Sequence, residues 1–264
     1  MGKVYASSDW HGCGAPAQKL IDYLKPDDTL YFLGDAIDRG PDSIKLLDWL
    51  FTDPRVKMLK GNHEDFMEKC VPLLIDDDNY CHDSDIDLWL YDNHGMQTFE
   101  YLVNNKTNEE IMEYIDKIKK LPLRLVYDSP LGHKVIMEHA GFTPGDIPHR
   151  SHDSLWDREH FYDNWNLDYE KYNNIYLVHG HTPVQYLKFY YGYKGEPKKT
   201  KEEILNYKNW IIDKNSLIMK AIRYCHNHKF DIDMCTISTN RTMLLDLDTF
   251  EEIYFDVQEE NKNE

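Results

Sequence analysis

Three short strings near the start of the chain gather side chains that bind metal and move protons. They are SDWHG (Ser8 to Gly12), GDAIDRG (Gly34 to Gly40) and GNHE (Gly61 to Glu64). Each follows an apolar stretch rich in β-formers: Lys3 to Ser7, Thr29 to Leu33 and Val56 to Leu59. Each therefore sets Asp, His or Asn where a strand would end. Asp9 and His11 are two apart, and just past a strand end they can converge on one ion. Asp35 comes from the next strand and can bridge two ions through its two oxygens. Asn62, His139 in HAG (His139 to Gly141) and His181 in HGHTP (His179 to Pro183) can complete a second ion. Oxygen and imidazole donors without thiolate suit manganese, iron or zinc in a reactive centre rather than a purely structural zinc site. A single Asp at a strand end is more often a turn or helix cap than a ligand. The weight here comes from several such residues in order, each in the same local context.

The elements that must position them alternate. The strand to Ser8 is followed by a helix pattern over Ala15 to Leu24, and the strand ending at Leu33 by an apolar rhythm at Ile44, Leu46, Leu47 and Leu50. Pro41 and Asp42 open that second helix. A third helix runs on from GNHE through Phe66, Met67, Val71 and Leu74. Alternation of this kind predicts right-handed βαβ crossovers onto a sheet, an α/β protein. From Asp76 to His94 the pattern breaks into an Asp-dense stretch, which reads as a solvated, mobile insertion. Helical patterns return at Gln97 to Val103 and at Asn108 to Lys119, the latter capped by Asn108. Leu123 to Tyr127 pairs with Lys134 to Glu138, Ile175 to Val178 is a further strand, and Thr242 to Leu247 with Ile253 to Val257 closes the chain as a hairpin. The expected organisation is one domain over 1–258, with variable insertions at about 76–94 and 188–230 and a polar tail at 259–264.

Composition narrows the function classes. The 264 residues suffice for one well-buried α/β domain. A net charge of −17 opposes general nucleic-acid binding, because most of the surface would repel a phosphate backbone. It leaves phosphorylated substrates open, since bound divalent metals reverse the sign locally. No stretch is apolar enough to span a bilayer and no signal peptide is visible, so a cytoplasmic location is expected. The five cysteines, odd in number and without a paired framework, are expected to be free thiols.

The order D-x-H-G, G-D-x-x-D-R-G, G-N-H-E, H-A-G and G-H-T-P, running from Asp9 to Pro183, resembles the calcineurin-like metallophosphoesterase superfamily. It is most similar to the bacterial and bacteriophage serine/threonine phosphoprotein phosphatases. The resemblance implies a β-sandwich of two mixed sheets flanked by helices, with the site at strand ends between them. It implies two divalent metal ions, Mn²⁺ first and Fe or Zn as alternatives: Asp9, His11 and Asp35 would hold one, and Asp35, Asn62, His139 and His181 the other. It also implies that Arg39, Arg158 (in SLWDR, Ser154 to Arg158) and Asn62 bind the substrate phosphate, that His63 is the general acid, and that Asp38 orients it. The reaction implied is direct attack of a metal-bridging hydroxide on a phosphoester of a phosphorylated protein or a small molecule. Two other readings remain open at this point: a bis(5′-nucleosyl)-tetraphosphatase, suggested by the HGC continuation (His11 to Cys13) and the RGP segment, and a non-catalytic binding module on the same fold.

Two departures from the family pattern are Ser8 and Trp10, where Gly and an aliphatic residue are usual. Trp10 is expected to pack in the core or to line the substrate mouth. Cys225, His226, His228 and Cys235 have a spacing that fits no standard zinc finger. Cys13 is either an oxidation-sensitive or an inert thiol. Lys198, Lys199 and Lys201 read as an exposed loop, and His149, His152 and His160 carry no assigned role. Oligomeric state is not legible.

Overall fold

In a computed structural model, the structure describes residues 2–76, 84–141, 151–158, 174–184, 220–224 and 227–257. The first sheet takes its strands from both ends of the chain. β1 (Val4–Ser7), β2 (Thr29–Phe32) and β3 (Val56–Met58) run parallel, joined by the helices α1 (Gly14–Tyr23) and α2 (Ser43–Thr52). The closing hairpin, β9 (Arg241–Asp246) with β10 (Glu252–Asp256), joins antiparallel on the far side of β1, giving the order β10-β9-β1-β2-β3. The second sheet has the order β4-β5-β6-β8-β7, from β4 (Arg124–Asp128), β5 (Lys134–Glu138), β6 (Ile175–His179), β7 (Ile222–Tyr224) and β8 (Lys229–Asp231). Its β5, β6 and β8 are parallel and its outer pairs antiparallel, so both sheets are mixed.

The two-residue period of the strands sorts the core into two layers. On β1 and β2, Tyr5, Leu30 and Phe32 face the helices together with Leu20 of α1 and Leu47 of α2. Ala6, Tyr31 and Leu33 face the second sheet and meet Val135, Met137, Val178 and Phe230. β9 splits the same way, with Leu244 on the helix side and Met243 and Leu245 between the sheets. This is the sandwich flanked by helices that the resemblance implied.

α3 (Asn62–Ile75), α5 (Met96–Asn105) and α6 (Asn108–Lys119) complete the helical layer. The cap of α6 is Thr107 rather than Asn108: its hydroxyl accepts from Glu110 N–H, while the Glu110 carboxylate accepts from Thr107 N–H. Thr107 has extended backbone and Asn108 is already helical, as a reciprocal capping box requires. α7 (Ser151–Trp156) and α8 (Thr236–Thr239) are short.

The acidic stretch is the main correction. Residues 77–83 lie outside the described residues, but from Ser84 the chain is packed. α4 (Ser84–Asp87) continues as a π-helical turn (Leu88–Asp92), and Ile86, Trp89 and Leu90 are buried in the helix-side core. Ile86, Trp89 and Leu90 face inward, whereas Leu88 and Tyr91 are exposed on the solvated face beside the aspartates. Among the described residues no helix is long and apolar enough to cross a membrane. The lysines at 198, 199 and 201, Cys81, Cys225, His226, His149, His160, the side chain of His152 and the tail at 259–264 lie outside the described residues.

Candidate metal centre and substrate cleft

The three opening strings and the two later ones converge where the parallel strands of both sheets end. Asp9 and His11 follow β1, Asp35 and Asp38 follow β2, and Asn62 and His63 open α3 after β3. His139 follows β5 and His181 follows β6. All eight side chains are buried. The turns that carry them are unusual: Asp9, His11, Asp35, Asp38, Arg39 and His181 have φ between 45° and 70°. This left-handed region costs non-glycine residues energy and concentrates at functional sites. Two glycines allow the close approach. Gly34, at φ 91°, is pressed against Gly61 and His139. A Cβ at Gly180 would stand 2.0 Å from an Asp9 carboxylate oxygen.

Asp35 sits at the centre. Its Oδ2 lies 3.3 Å from His139 Nε2, 3.7 Å from His11 Nε2 and 3.9 Å from His63 Nε2. Two sets of ligand atoms fall within 4.8 Å of one another: His11, Asp35 and His63, and Asp35, His139 and His181. Asp35 is shared between them, as its bridging position in sequence suggested. Asn62 joins the second set, its Oδ1 lying 2.8 Å from both His139 Nε2 and His181 Nδ1. Asp9 belongs to neither set of three; both its oxygens accept the backbone N–H of His181 at 3.1 Å. His63, which the resemblance implies is the general acid, is itself a member of the first set.

The hydrogen bonds fix which nitrogens are available. His11 Nδ1–H donates to Ile37 O at 3.0 Å and His139 Nδ1–H to Leu33 O at 2.7 Å, which directs the Nε2 of each ring into the site. Such backbone anchoring is how metal-binding imidazoles are commonly oriented. The Nε2 of His139 then faces Asn62 Oδ1 and Asp35 Oδ2, both acceptors. Burial disfavours charge on this ring, but the Asp35 and Asp9 carboxylates outweigh it and push the imidazole up to about 9. Burial likewise opposes ionisation of Asp35, yet His139 and His63 hold it well below the usual carboxylate range. Asp9 is pushed well above that range by burial and by Asp233. His181 is pushed well below the usual imidazole range by burial and by His139, and its buried Nε2 has no hydrogen-bond partner among the described residues. Converging imidazole lone pairs and carboxylates of this kind are the donor set a pair of divalent ions fits.

Around this cage lie the polar groups of a reaction site. His63 Nδ1–H donates to Asp38 Oδ2 at 2.7 Å. Arg39 donates from Nη1 to His11 Nε2 (2.9 Å) and from Nη2 to His63 Nε2 (3.1 Å). Arg158 is exposed, and its Nε donates to Thr182 Oγ1 at 3.2 Å. Arg39, Arg158 and His181 share an open cleft of about 1150 Å³, whose other wall includes Leu90, Tyr91 and Asp92.

Sequence reading missed two supports. Glu64, the last letter of GNHE, is a fully buried carboxylate that accepts Asp35 N–H (2.9 Å), Ala36 N–H (2.8 Å) and Gly61 N–H (2.9 Å), clamping the turn that carries Asp35. Its signal was present, an acid in the first turn of a helix two residues after Asn62. Trp156 of α7 meets His181 edge-on at 5.8 Å between ring centroids and also contacts Phe66 at 5.2 Å. Trp10 proves to be core: fully buried, it packs on Phe32 and Trp49. Of the Cys/His group, His228 donates from Nδ1 to Ile175 O and stacks on Tyr176. Burial pushes the Cys13 thiol up to about 12, which favours the inert reading. His179, left out of the ligand set, is buried, and burial pushes its imidazole down to about 3.

Comparison with known proteins agrees with this geometry. The bis(5′-nucleosyl)-tetraphosphatase (symmetrical) of Chromobacterium violaceum is 42% identical over 65 residues, which cover 23% of this chain and 24% of that protein. The chain thus spans about a quarter of the length of that curated relative. Two solved structures share the fold over nearly the whole chain. A proposed diadenosine tetraphosphatase is 16% identical, covers 98% of this chain and 95% of its own, and has a TM-score of 0.56. A protein serine/threonine phosphatase from Saccharomyces cerevisiae, similar to human phosphatase PP5, is 13% identical, covers 99% and 82%, and has a TM-score of 0.54. The family described as calcineurin-like phosphoesterase matches residues 2–229. With that match covering most of the chain and both sheets in place, this chain belongs to the calcineurin-like phosphoesterase family.

Proposed function

We propose that this phosphoester hydrolase acts on phosphomonoesters of the protein serine/threonine type. Its metal residues would be Asp9, His11, Asp35, Asn62, His139 and His181, and its resident ions manganese, with iron or zinc as substitutes. The observation that carries the substrate reading is the charge layout of the cleft. Its described cations are Arg39 and Arg158, beside the metal residues, whereas Asp92 and Glu100 line it from the exposed helical wall. One phosphoryl group is matched by two guanidiniums. A polyphosphate chain extending further would meet carboxylates among the described lining residues, and a basic peptide segment would be attracted to them.

When bound, the ion pair would lower the pKa of a water and neutralise charge on the phosphoryl oxygens. The remaining chemistry belongs to the chain. Arg39 offers a planar fork to two phosphoryl oxygens, exchanging its present contacts with His11 and His63 for them. His63, protonated at Nε2, gives that proton to the departing serine or threonine oxygen. Asp38 keeps the other ring nitrogen in place and stabilises the charged imidazole.

The test is a side-by-side assay with Mn²⁺ on a phosphoserine peptide flanked by basic residues and on diadenosine tetraphosphate. The expected result is a higher kcat/KM for the peptide. The match to bis(5′-nucleosyl)-tetraphosphatases around the opening strings favours a second reading, and faster cleavage of the dinucleotide would establish it instead. No cleavage of either, under manganese, iron or zinc, would leave a binding module.

A further inference from the structure

The oxygen of Asp38 that faces His63 has a second partner. Asp38 Oδ2 accepts His63 Nδ1–H at 2.7 Å and the indole Nε1–H of Trp89 at 2.8 Å. Asp38 and Trp89 are fully buried, and Asp38 Oδ1 has no hydrogen-bond partner among the described residues. A carboxylate with one idle oxygen has a broad, roughly two-fold terminal torsion, so either oxygen can swing toward His63 unless a further contact fixes the group.

Trp89 is itself tightly held. A Cβ on Gly95 would stand 2.4 Å from the indole Nε1, and Gly95 N–H donates to Trp89 O at 2.9 Å. Phe99 meets the indole edge-on, 6.4 Å between ring centroids. The indole projects from the π-helical turn, a form that recurs at functional sites. Arg39 N–H donates to His94 O (3.3 Å), so the same segment reaches both Asp38 and Arg39.

We infer that Trp89 is a positioning residue, holding Asp38 Oδ2 on His63 Nδ1 and thereby keeping His63 Nε2 turned toward the leaving group. Core packing accounts for the burial of the ring; it does not call for an N–H aimed at the one oxygen that holds His63. The inference rests on the hydrolase reading above, in which His63 is the acid.

Trp89→Phe keeps an aromatic ring and removes the N–H. Benzothienylalanine at position 89 keeps the bicyclic shape without the N–H, so the same measurement can be made without a cavity. Turnover is measured with Mn²⁺ on a phosphoserine peptide, whose alkoxide must be protonated, and on p-nitrophenyl phosphate, whose leaving group needs little help. The expected result is a fall of about tenfold in kcat on the peptide, a fraction of the ~10²–10⁴ that a general acid contributes. KM should hold, the aryl ester should change by less than about twofold, and Trp89→Phe should add nothing in an Asp38→Asn background. Equal losses on both esters, losses that add to those of Asp38→Asn, or an unchanged peptide kcat would overturn the inference. His63→Asn separates the two levels. If it leaves the peptide-to-aryl ratio unmoved, the acid assignment fails and takes the inference with it. If it shifts the ratio and Trp89→Phe does not, the inference alone fails.

Discussion

Trp10 stands between two candidate ligands, Asp9 and His11, yet its side chain turns away from them, and Trp10→Phe separates those two facts. The indole is fully buried, packed on Phe32 at 4.6 Å and Trp49 at 6.0 Å between centroids, and its Nε1–H donates to Ser7 Oγ at 3.0 Å. Truncating a buried Trp to Ala typically costs about 3–5 kcal/mol, and Phe removes roughly a third of the side chain, so packing loss is about 1–1.5 kcal/mol. The buried Ser7 hydroxyl loses its donor, which adds about 1 kcal/mol. The sum, about 2–2.5 kcal/mol, corresponds to a fall in Tm of about 4–10 °C for a domain of this size. Urea denaturation and a thermal scan measure it. At a temperature where both proteins are folded, kcat on a phosphoester should stay within about threefold, because the indole does not reach the cleft. A destabilisation below about 1 kcal/mol with turnover lost more than about tenfold would refute the reasoning and put Trp10 at the substrate mouth.

Arg39→Lys should lower kcat/KM on a phosphopeptide by about 10–100-fold, because a point charge cannot grip two oxygens as the fork does; a thermal scan should show Tm nearly unchanged. Mn²⁺ added to chelator-treated protein at a hundred times its Kd should stabilise the fold by about 2.7 kcal/mol, seen as a rise in Tm, and an unmoved Tm would count against the metal residues. Asp246 accepts Asp248 N–H and Thr249 N–H through Oδ1 and pairs with Lys3 through Oδ2. Burial opposes its ionisation, but Lys3 and the two N–H groups hold it below the usual carboxylate range. A depressed folded pKa means the stabilisation is present above the unfolded value of about 3.9 and is lost as pH falls through the folded one. Asp246→Asn should therefore lower stability in urea melts at pH 7, and the difference from wild type should shrink as the pH falls below about 4.

The parallel part of the first sheet, β1 to β3, was legible because its strands are apolar runs that end in polar motifs, and helices with a clear 3.6-residue rhythm separate them. The second was harder. β8 reads Lys-Phe-Asp, and Lys229 and Asp231 are as buried as Phe230, so hydrophobic pattern gives no sign of a strand there. That the later strands stack on the first sheet came from the resemblance rather than from periodicity. At the site, residue type and local context singled out Asp9, His11, Asp35, Asn62, His139 and His181, which the structure brings together as buried side chains at adjoining strand ends. What it could not reveal were partners chosen by the fold over long distances. Glu64 acts on a turn 28 and 29 residues away, and Trp89 reaches Asp38 across 51 residues from within a stretch whose aspartates masked its apolar face.

The left-handed backbone at Asp9, His11, Asp35, Asp38, Arg39 and His181 sets a direction for evolutionary drift. At such positions Gly or Asn is tolerated with less strain than Asp, His or Arg, and each strained residue costs on the order of 1 kcal/mol. Substitutions that abolish the site would therefore tend to make the empty protein more robust, so selection for stability and selection for chemistry pull these six positions in opposite directions. A lineage released from the chemistry should lose these side chains first and keep Phe32, Leu47 and Val135 long afterward. A homologue with glycine or asparagine at several of the six, on an otherwise intact core, would be one that has already changed its occupation.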